Sequence, residues 1–364
     1  MAKIFVNLSW SPWCLGVTRP FLTILLGIFF SLIGALQTEA DDASSSEASE
    51  KVSLDVVEGK PREFPVGDEI QRIMMQTLGG RQFWADLLYF QDWRIQRNVF
   101  TGHCRLLDGH DTRHATGSYE SCCDKLAEIR EERQLPAMTG PAVVLLHGIV
   151  RSSKCFHRMR KTLNEAGYLT VAFEYPSTQI DIPTAADHLQ QVLQHLEGVE
   201  QIDFVGHSMG GLVVRAWAQK YQDARVRRLV MLGTPNQGAE MADRLEKMLL
   251  YRFVLGPAGQ QLVTHATGLI ATMPPPPFEF AVIAGGRGDE KGWNPLIPGD
   301  DDGTVAVERA KLTGSRDFLV LPVLHTLLTS NAAVIEQTVH FLEQGTFRRE
   351  AGEDTRSEND RAGG

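Results

Sequence analysis

The run Gly206-His207-Ser208-Met209-Gly210 constrains this chain more than any other stretch. It has the form G-x-S-x-G, follows directly on the apolar segment QIDFV (201–205), and leads directly into GLVVRAWAQ (211–219). The first segment reads as a strand and the second as a helix, so the residues between them must make a tight strand-to-helix turn. Both flanks of such a turn need small residues, because a Cβ there meets the neighbouring backbone. The turn lifts the Ser208 hydroxyl clear of the sheet and sets it over a helix N-terminus. The plain alternative is a glycine-rich turn carrying an idle serine, and the strand and helix on either side argue against it.

Short apolar runs recur on both sides of that turn: 143–147 (VVLLH), 169–175 (LTVAFEY), 226–232 (VRRLVML), 278–283 (FEFAVI) and 317–323 (DFLVLPV). Helical patterns separate them. After Pro183, residues Ala186, Leu189, Val192, Leu193 and Leu196 share one face and Gly198 closes the segment; a final helix is predicted over about 327–342. Continuous apolar strands alternating with amphipathic helices predict an α/β fold, a mostly parallel sheet with helices on both faces. Upstream, alternation within 92–107 around Thr101-Gly102 predicts an antiparallel hairpin at the sheet edge. Phe83, Trp84, Leu87, Leu88 and Phe90 read as a helix packed on the body. Nothing repeats at a fixed period, which excludes solenoids and propellers.

A free hydroxyl is a weak nucleophile at neutral pH, so Ser208 needs a base. Of 11 histidines, His325 is best placed. It follows the last predicted strand and precedes the last helix, on the sheet edge that also carries Ser208. The side chain of His207 points away from the Ser208 hydroxyl at such a turn. A base in turn needs an acid to fix its tautomer and stabilise the imidazolium. Asp300-Asp301-Asp302-Gly303 follows the strand 278–283 and a loop, which gives the order Ser, Asp, His. Asp302 is the choice because it directly precedes Gly303; Asp300 and Asp301 read as solvated, or as holding a cation. An oxyanion would find one backbone N–H just after His147-Gly148, and another at Met209, the residue after the nucleophile.

Taken together, HGI (147–149), GHSMGG (206–211), LGTPNQG (232–238), DGTV (302–305) and a histidine after the last strand resemble the α/β-hydrolase fold, and more narrowly bacterial lipases and esterases. The resemblance spans about 140–343. It implies acyl transfer to serine and then to water, with no organic cofactor. By position it makes Ser208 the nucleophile, Asp302 the acid, His325 the base, and Ile149 and Met209 the oxyanion donors. The expected function is carboxylic ester hydrolysis on an acyl ester or lipid. A thioesterase, phospholipase or acyltransferase on the same scaffold is the near alternative, and a non-catalytic binding module the distant one.

The domain plan follows. Residues 21–36 (FLTILLGIFFSLIGAL) form an apolar run preceded by Lys3 and Arg19, with no acid before Glu39. That is the pattern of an export signal within 1–36. At 16 residues the run is short for a membrane span, so an uncleaved anchor and a buried helix stay open. Each export reading puts the rest of the chain outside the cytosol, with membrane attachment only through 21–36. Residues 37–60 carry seven acids against two lysines among Ser and Ala, a composition that cannot bury enough apolar area to order itself. The C-terminal 345–364 reads the same way. Residues 61–139 form an N-terminal extension packed on the core, and 140–344 the hydrolase-like domain. With Lys+Arg 36 against Asp+Glu 45, the net charge of −9 lacks the cationic excess that nucleic-acid binding requires.

Cys104, Cys122, Cys123 and Cys155 allow two bridges in three pairings, or free thiols. No C-x-x-C supports a zinc site. His110, Asp111 and His114 sit in polar, glycine-containing sequence that reads as loop rather than as a metal-binding helix. Gly285-Gly286-Arg287-Gly288 lacks the context of a phosphate loop.

Minimal lipases of this kind lack the extension and the insert at 238–277. Met248, Leu249, Leu250, Phe253, Val254 and Leu255 cluster in that insert, which reads either as a lid over an acyl pocket or as an extra packed helix. If it is a lid, shortening 241–272 shifts turnover from long toward short p-nitrophenyl esters. An unchanged chain-length profile discards the lid.

Overall fold

The computed structural model describes residues 81–239, 257–259, 261–262 and 268–349. The apolar run 21–36, the acidic segment 37–60 and most of the insert, with its Met248–Leu255 cluster, lie outside the described residues. Among the described residues, no helix is long and apolar enough to cross a membrane.

Two sheets make up the fold. The first is an antiparallel meander in sequential order, β1 (Trp84–Phe90), β2 (Trp93–Asn98), β3 (Cys104–Leu107) and β4 (Arg113–Gly117), followed by helix α1 (Tyr119–Glu132). The hairpin expected over 92–107 is β2–β3, with Arg97 opposite Cys104, but it belongs to this separate sheet and not to the edge of the parallel one. The helix expected around Phe83–Phe90 is corrected to a strand: β1 pairs with β2 from Trp84 opposite Asn98 to Phe90 opposite Trp93. The spacing of Trp84, Leu87 and Leu88 suits a helix, but an aromatic-rich segment with a partner strand beside it buries more of itself extended. Ala85, Leu87 and Tyr89 are all buried.

The second sheet has six parallel strands in the order β10-β9-β8-β7-β5-β6. In chain order these are β5 (Gly140–Leu146), β6 (Leu169–Phe173), β7 (Val199–His207), β8 (Val226–Leu232), β9 (Glu279–Gly285) and β10 (Asp317–Leu321). The connecting helices are α2 (His157–Glu165), α3 (Ile182–Gln194) and α4 (Met209–Lys220), and α5 (Ala332–Gln344) ends the fold. The two-residue period of the strands sorts the core onto two faces. Val144, Leu146, Phe204, Leu229 and Met231 face α3, α4 and the antiparallel sheet. Val143, Leu145, Val205, Val230 and Leu232 face α2 and α5. Both faces are covered, which is why the strands read as unbroken apolar runs.

The chain steps outward from β5 to β6, then returns to β7 on the other side of β5. In open α/β sheets, ligands bind beyond the strand C-termini at such a reversal. Here the reversal sets the end of β5 beside the end of β7.

Residues 345–349 differ from the solvated tail expected there. Gly345 closes α5 with φ 78°, and Phe347 is buried, its N–H donating to Asp317 at 2.8 Å. Residues 350–364 lie outside the described residues. Cys104, Cys122, Cys123 and Cys155 are free thiols.

The extension joins the body through buried polar bonds along β6. The N–H of Asp86 donates to the Glu174 carbonyl at 2.9 Å, the Glu174 N–H donates to the Asp86 carboxylate at 2.7 Å, and the Tyr89 hydroxyl donates to the Thr170 carbonyl at 3.1 Å. Burial pushes the Asp86 carboxyl up to about 6, against the attraction of Arg94. A carboxyl whose pKa is raised in the folded state favours folding while protonated. Its contribution is full below its unfolded value and is lost as pH rises through 6. Between pH 5 and pH 7 that loss is about 1 kcal/mol. We therefore expect Asp86→Asn to remove about that much of the difference in unfolding free energy between the two pH values. An undiminished difference in urea titrations of the variant contradicts this assignment.

Candidate active site

Ser208 sits between β7 and α4 with φ 54° and ψ −123°, a conformation that L-residues rarely adopt. Such strain costs about 1–3 kcal/mol and persists only where the surroundings impose it. The surroundings here are glycines. A Cβ on Gly206 would stand 2.5 Å from the Gly211 nitrogen, and one on Gly210 only 2.2 Å from the Leu146 carbonyl oxygen. One on Gly211 would stand 2.2 Å from the Thr234 hydroxyl. The turn can therefore wedge between β5 and β8 only because these positions lack side chains. The Ser208 N–H donates to the Leu232 carbonyl at 2.8 Å, which ties the turn to the end of β8.

The acid and base come from two later loops. The Asp302 carboxylate is 1% exposed. One of its oxygens accepts the N–H groups of Thr304 at 3.0 Å and Val305 at 2.8 Å, and the other lies 2.7 Å from His325 Nδ1. The His325 N–H also donates to the Asp302 carbonyl at 2.8 Å, so the two residues are fixed to each other through side chain and backbone. With Nδ1–H directed at the carboxylate, Nε2 keeps its lone pair. Space for the pair is again made by glycine. A Cβ on Gly233 would lie 3.1 Å from both Asp302 Oδ2 and His325 Nδ1, and one on Gly285 would lie 2.7 Å from Asp302 Cβ. Gly233 directly follows Leu232, the residue that holds the Ser208 N–H.

His207 links the turn to the base. Its Nε2–H donates to the His325 carbonyl at 3.0 Å, and the two rings lie 4.8 Å apart. Burial first, then the charges of His325 and Arg151, hold His207 well below the usual histidine range, so it stays neutral. The sequence marked His207 only as turned away from Ser208; its role in anchoring the His325 backbone has no sequence signature.

On the other side, Gly148 approaches Ser208 so closely that a Cβ there would stand 3.0 Å from Ser208 Cβ. Among the described residues, no acceptor meets the N–H of Ile149 or of Met209. These are the two groups expected to receive an oxyanion. The His147 ring under this turn is fully buried, stacks on Tyr175 at 4.3 Å and lies 3.4 Å from Glu174. Burial works against ionisation of Glu174, yet His147 and Ser153 hold its carboxyl below the usual range; the Ser153 N–H and hydroxyl donate to it at 3.0 and 2.6 Å. Glu174, one residue beyond β6, was not among the expected site residues.

The expectation for Asp300 and Asp301 is corrected. Asp301 is buried rather than solvated, and Asp300, half-exposed, is engaged by backbone N–H groups. Asp300 accepts the N–H groups of Arg287 at 2.6 Å and Gly288 at 3.0 Å. Asp301 is fully buried and accepts those of Asn294 at 3.0 Å and Gly303 at 2.6 Å. A long loop full of unpaired N–H groups needs acceptors, and these carboxylates supply them. Asp111 pairs with Arg94 and Lys154, and His114 with Asp108. Among the described residues, no group of three metal-ligating side chains occurs.

Residues 141–273 match the family model described as the alpha/beta hydrolase fold. Over 133 residues the chain is 27% identical to a triacylglycerol lipase of Pseudomonas fragi, an alignment that covers 34% of this chain and 43% of that lipase. The chain thus spans less than half the length of this curated relative. Among solved structures, the mature form of a Bacillus licheniformis lipase aligns at 18% identity and TM-score 0.40, covering 58% of this chain and 92% of that one. A Legionella pneumophila phospholipase aligns at 18% identity and TM-score 0.39, covering 47% and 46%. Residues 141–273 thus have the fold of the α/β hydrolases, and this part of the chain resembles a lipase.

The glycine contacts give a direct test. Gly210→Ala forces a methyl group into the Leu146 carbonyl, a backbone atom that cannot swing away. Overpacking of this kind costs about 1–3 kcal/mol. We expect a loss of at least that size in urea unfolding. A variant as stable as the native protein rules out the close approach described.

Proposed function

We propose that this protein is a serine hydrolase of carboxylic esters, acting through Ser208, His325 and Asp302. The observation that carries the reading is the buried Asp302 carboxylate 2.7 Å from His325 Nδ1, in a pair that His207 ties to the strained turn bearing Ser208 through the His325 carbonyl. Ser208 Oγ attacks the acyl carbon while His325 Nε2 takes its proton. The carbonyl oxygen becomes an oxyanion held by the N–H groups of Ile149 and Met209, each worth about 3 kcal/mol when lost. The tetrahedral species collapses by breaking the bond to the leaving alkoxide, which takes the proton from His325. An acyl group remains on Ser208. Water then adds with His325 as base, and the same steps in reverse order release the acid and restore the serine.

The substrate class we favour is an acyl ester or lipid, as in the triacylglycerol lipase that the chain partly matches. The apolar run 21–36 supports action outside the cytosol, secreted or attached to a membrane there. A thioesterase, phospholipase or acyltransferase differs only in leaving group and acceptor, and a panel of esters, thioesters and phospholipids assayed with and without an added alcohol separates these.

A fluorophosphonate probe tests the nucleophile. Labelling of the native protein that disappears in Ser208→Ala supports the hydrolase. Absence of labelling in the folded native protein overturns it and favours a binding module on the hydrolase scaffold.

A further inference from the structure

The turn that carries the proposed oxyanion donor is strained one residue further on. Val150 has φ 57°, a left-handed conformation that is costly for any side chain and most of all for a β-branched one. Something must hold it there. The Val150 N–H donates to the Ser177 hydroxyl oxygen at 3.1 Å. The Ser177 hydroxyl in turn donates to Gln82 Oε1 at 3.2 Å. The same oxygen accepts the N–H of Thr178 at 2.9 Å and its hydroxyl at 3.2 Å. Gln82 Nε2 donates to the Arg151 carbonyl at 3.1 Å. One side chain therefore grips the strained residue from both sides, through Ser177 on its N–H and directly on the carbonyl of the residue that follows. Gln82 is completely buried, and it lies in the N-terminal extension, 67 residues before Ile149 in the chain.

We infer that Gln82 and Ser177 are positioning residues for the oxyanion site, and that completing the 148–152 turn is a function of the N-terminal extension. The inference rests on the ester-hydrolase reading above. The logic is one of hydrogen-bond supply. Ser177 occupies the Val150 N–H, so that group cannot turn toward the site in place of Ile149. The left-handed twist at Val150, held by Gln82, fixes the direction of the peptide that precedes it. With the Gln82 amide removed, the Arg151 carbonyl and the Ser177 hydroxyl lose their partner, and the turn can relax toward ordinary backbone angles. The Ile149 N–H then no longer points where charge develops.

An oxyanion donor acts on the transition state and hardly at all on the bound ester, so its displacement lowers kcat with little change in KM. A shift of about 1 Å in such a group costs up to about 100-fold. In the full-length protein with p-nitrophenyl butyrate, we expect Gln82→Ala and Ser177→Ala each to lower kcat at least about tenfold, with KM within about twofold. The inhibition constant of phenylboronic acid, whose serine adduct places an oxygen in the same site, should weaken in step with kcat. Ser177→Thr keeps the hydroxyl and should retain most of the activity. Ile95→Val thins the core of the same antiparallel sheet and should lower Tm with kcat unchanged, so that general loosening of the extension is separated from loss of these bonds.

Hydrogen exchange reads the buttress independently of turnover. The Val150 amide should be protected in the native protein and lose protection in both alanine variants. If Gln82→Ala does not fold, Ser177→Ala decides alone. Native-like kcat and native-like exchange in folded Ser177→Ala overturn the inference while leaving the hydrolase reading intact. If native protein fails to cleave the ester or react with the fluorophosphonate while the Val150 amide is protected as described, the hydrolase reading falls and the buttress stands.

Discussion

The close approach of β5 and β7 at their C-terminal ends governs the arrangement of this protein. Their adjacency sets Gly148 against Ser208, where a Cβ would stand only 3.0 Å from Ser208 Cβ, and Gly210 against the carbonyl of Leu146. The contact forces Ser208 into backbone angles it would not adopt alone. The interlocked strands on either side hold that strain, because relaxing it means separating strands whose two faces are both packed. A hydroxyl presented in this way is raised above the sheet and stays there without further support.

Two levels of polar structure are built outward from that contact. The nearer one joins loops that follow β8, β9 and β10. Asp302 and His325 bind each other through side chain and main chain, and His207 reaches across from the turn to hold the His325 carbonyl. The second level comes from the opposite side of the sheet reversal. Here Glu174, Ser153, Ser177 and Gln82 surround the residues after His147. Gln82, Ser153, Ser177 and Glu174 Oε2 all have hydrogen-bond partners in this shell, while Glu174 Oε1 faces His147 Nε2 at 3.4 Å, and a buried group left unpaired costs about 1–3 kcal/mol. The shell therefore resists rearrangement of the turn that carries the Ile149 N–H.

The antiparallel meander is best understood through the same shell. It contributes apolar area from Leu87, Tyr89, Ile95 and Leu106 to the face of the core that also holds α3. Asp86 of β1, and Gln82 two residues before that strand, are the polar side chains of the extension that enter the network beside the site.

The amino-acid sequence by itself determined the parallel sheet, its helices and the tight turn at Ser208. Those features depend on residues close together in the chain: continuous apolar runs, a helix opened by Pro183 and closed by Gly198, and glycines two positions either side of a serine. It also pointed to Asp302 and His325, because chain order and the position after a strand are local properties. It misread Trp84–Phe90 as a helix, since a spacing of three and four suits a helix until a partner strand is present. It took Asp301 as solvated or cation-holding, since nothing near it in sequence announces the N–H groups that its buried carboxylate accepts. Glu174, His207 and Gln82 acquire their roles only in three dimensions. Their bonds join residues up to 118 positions apart, and which buried acceptor meets which donor is decided by how the sheets pack.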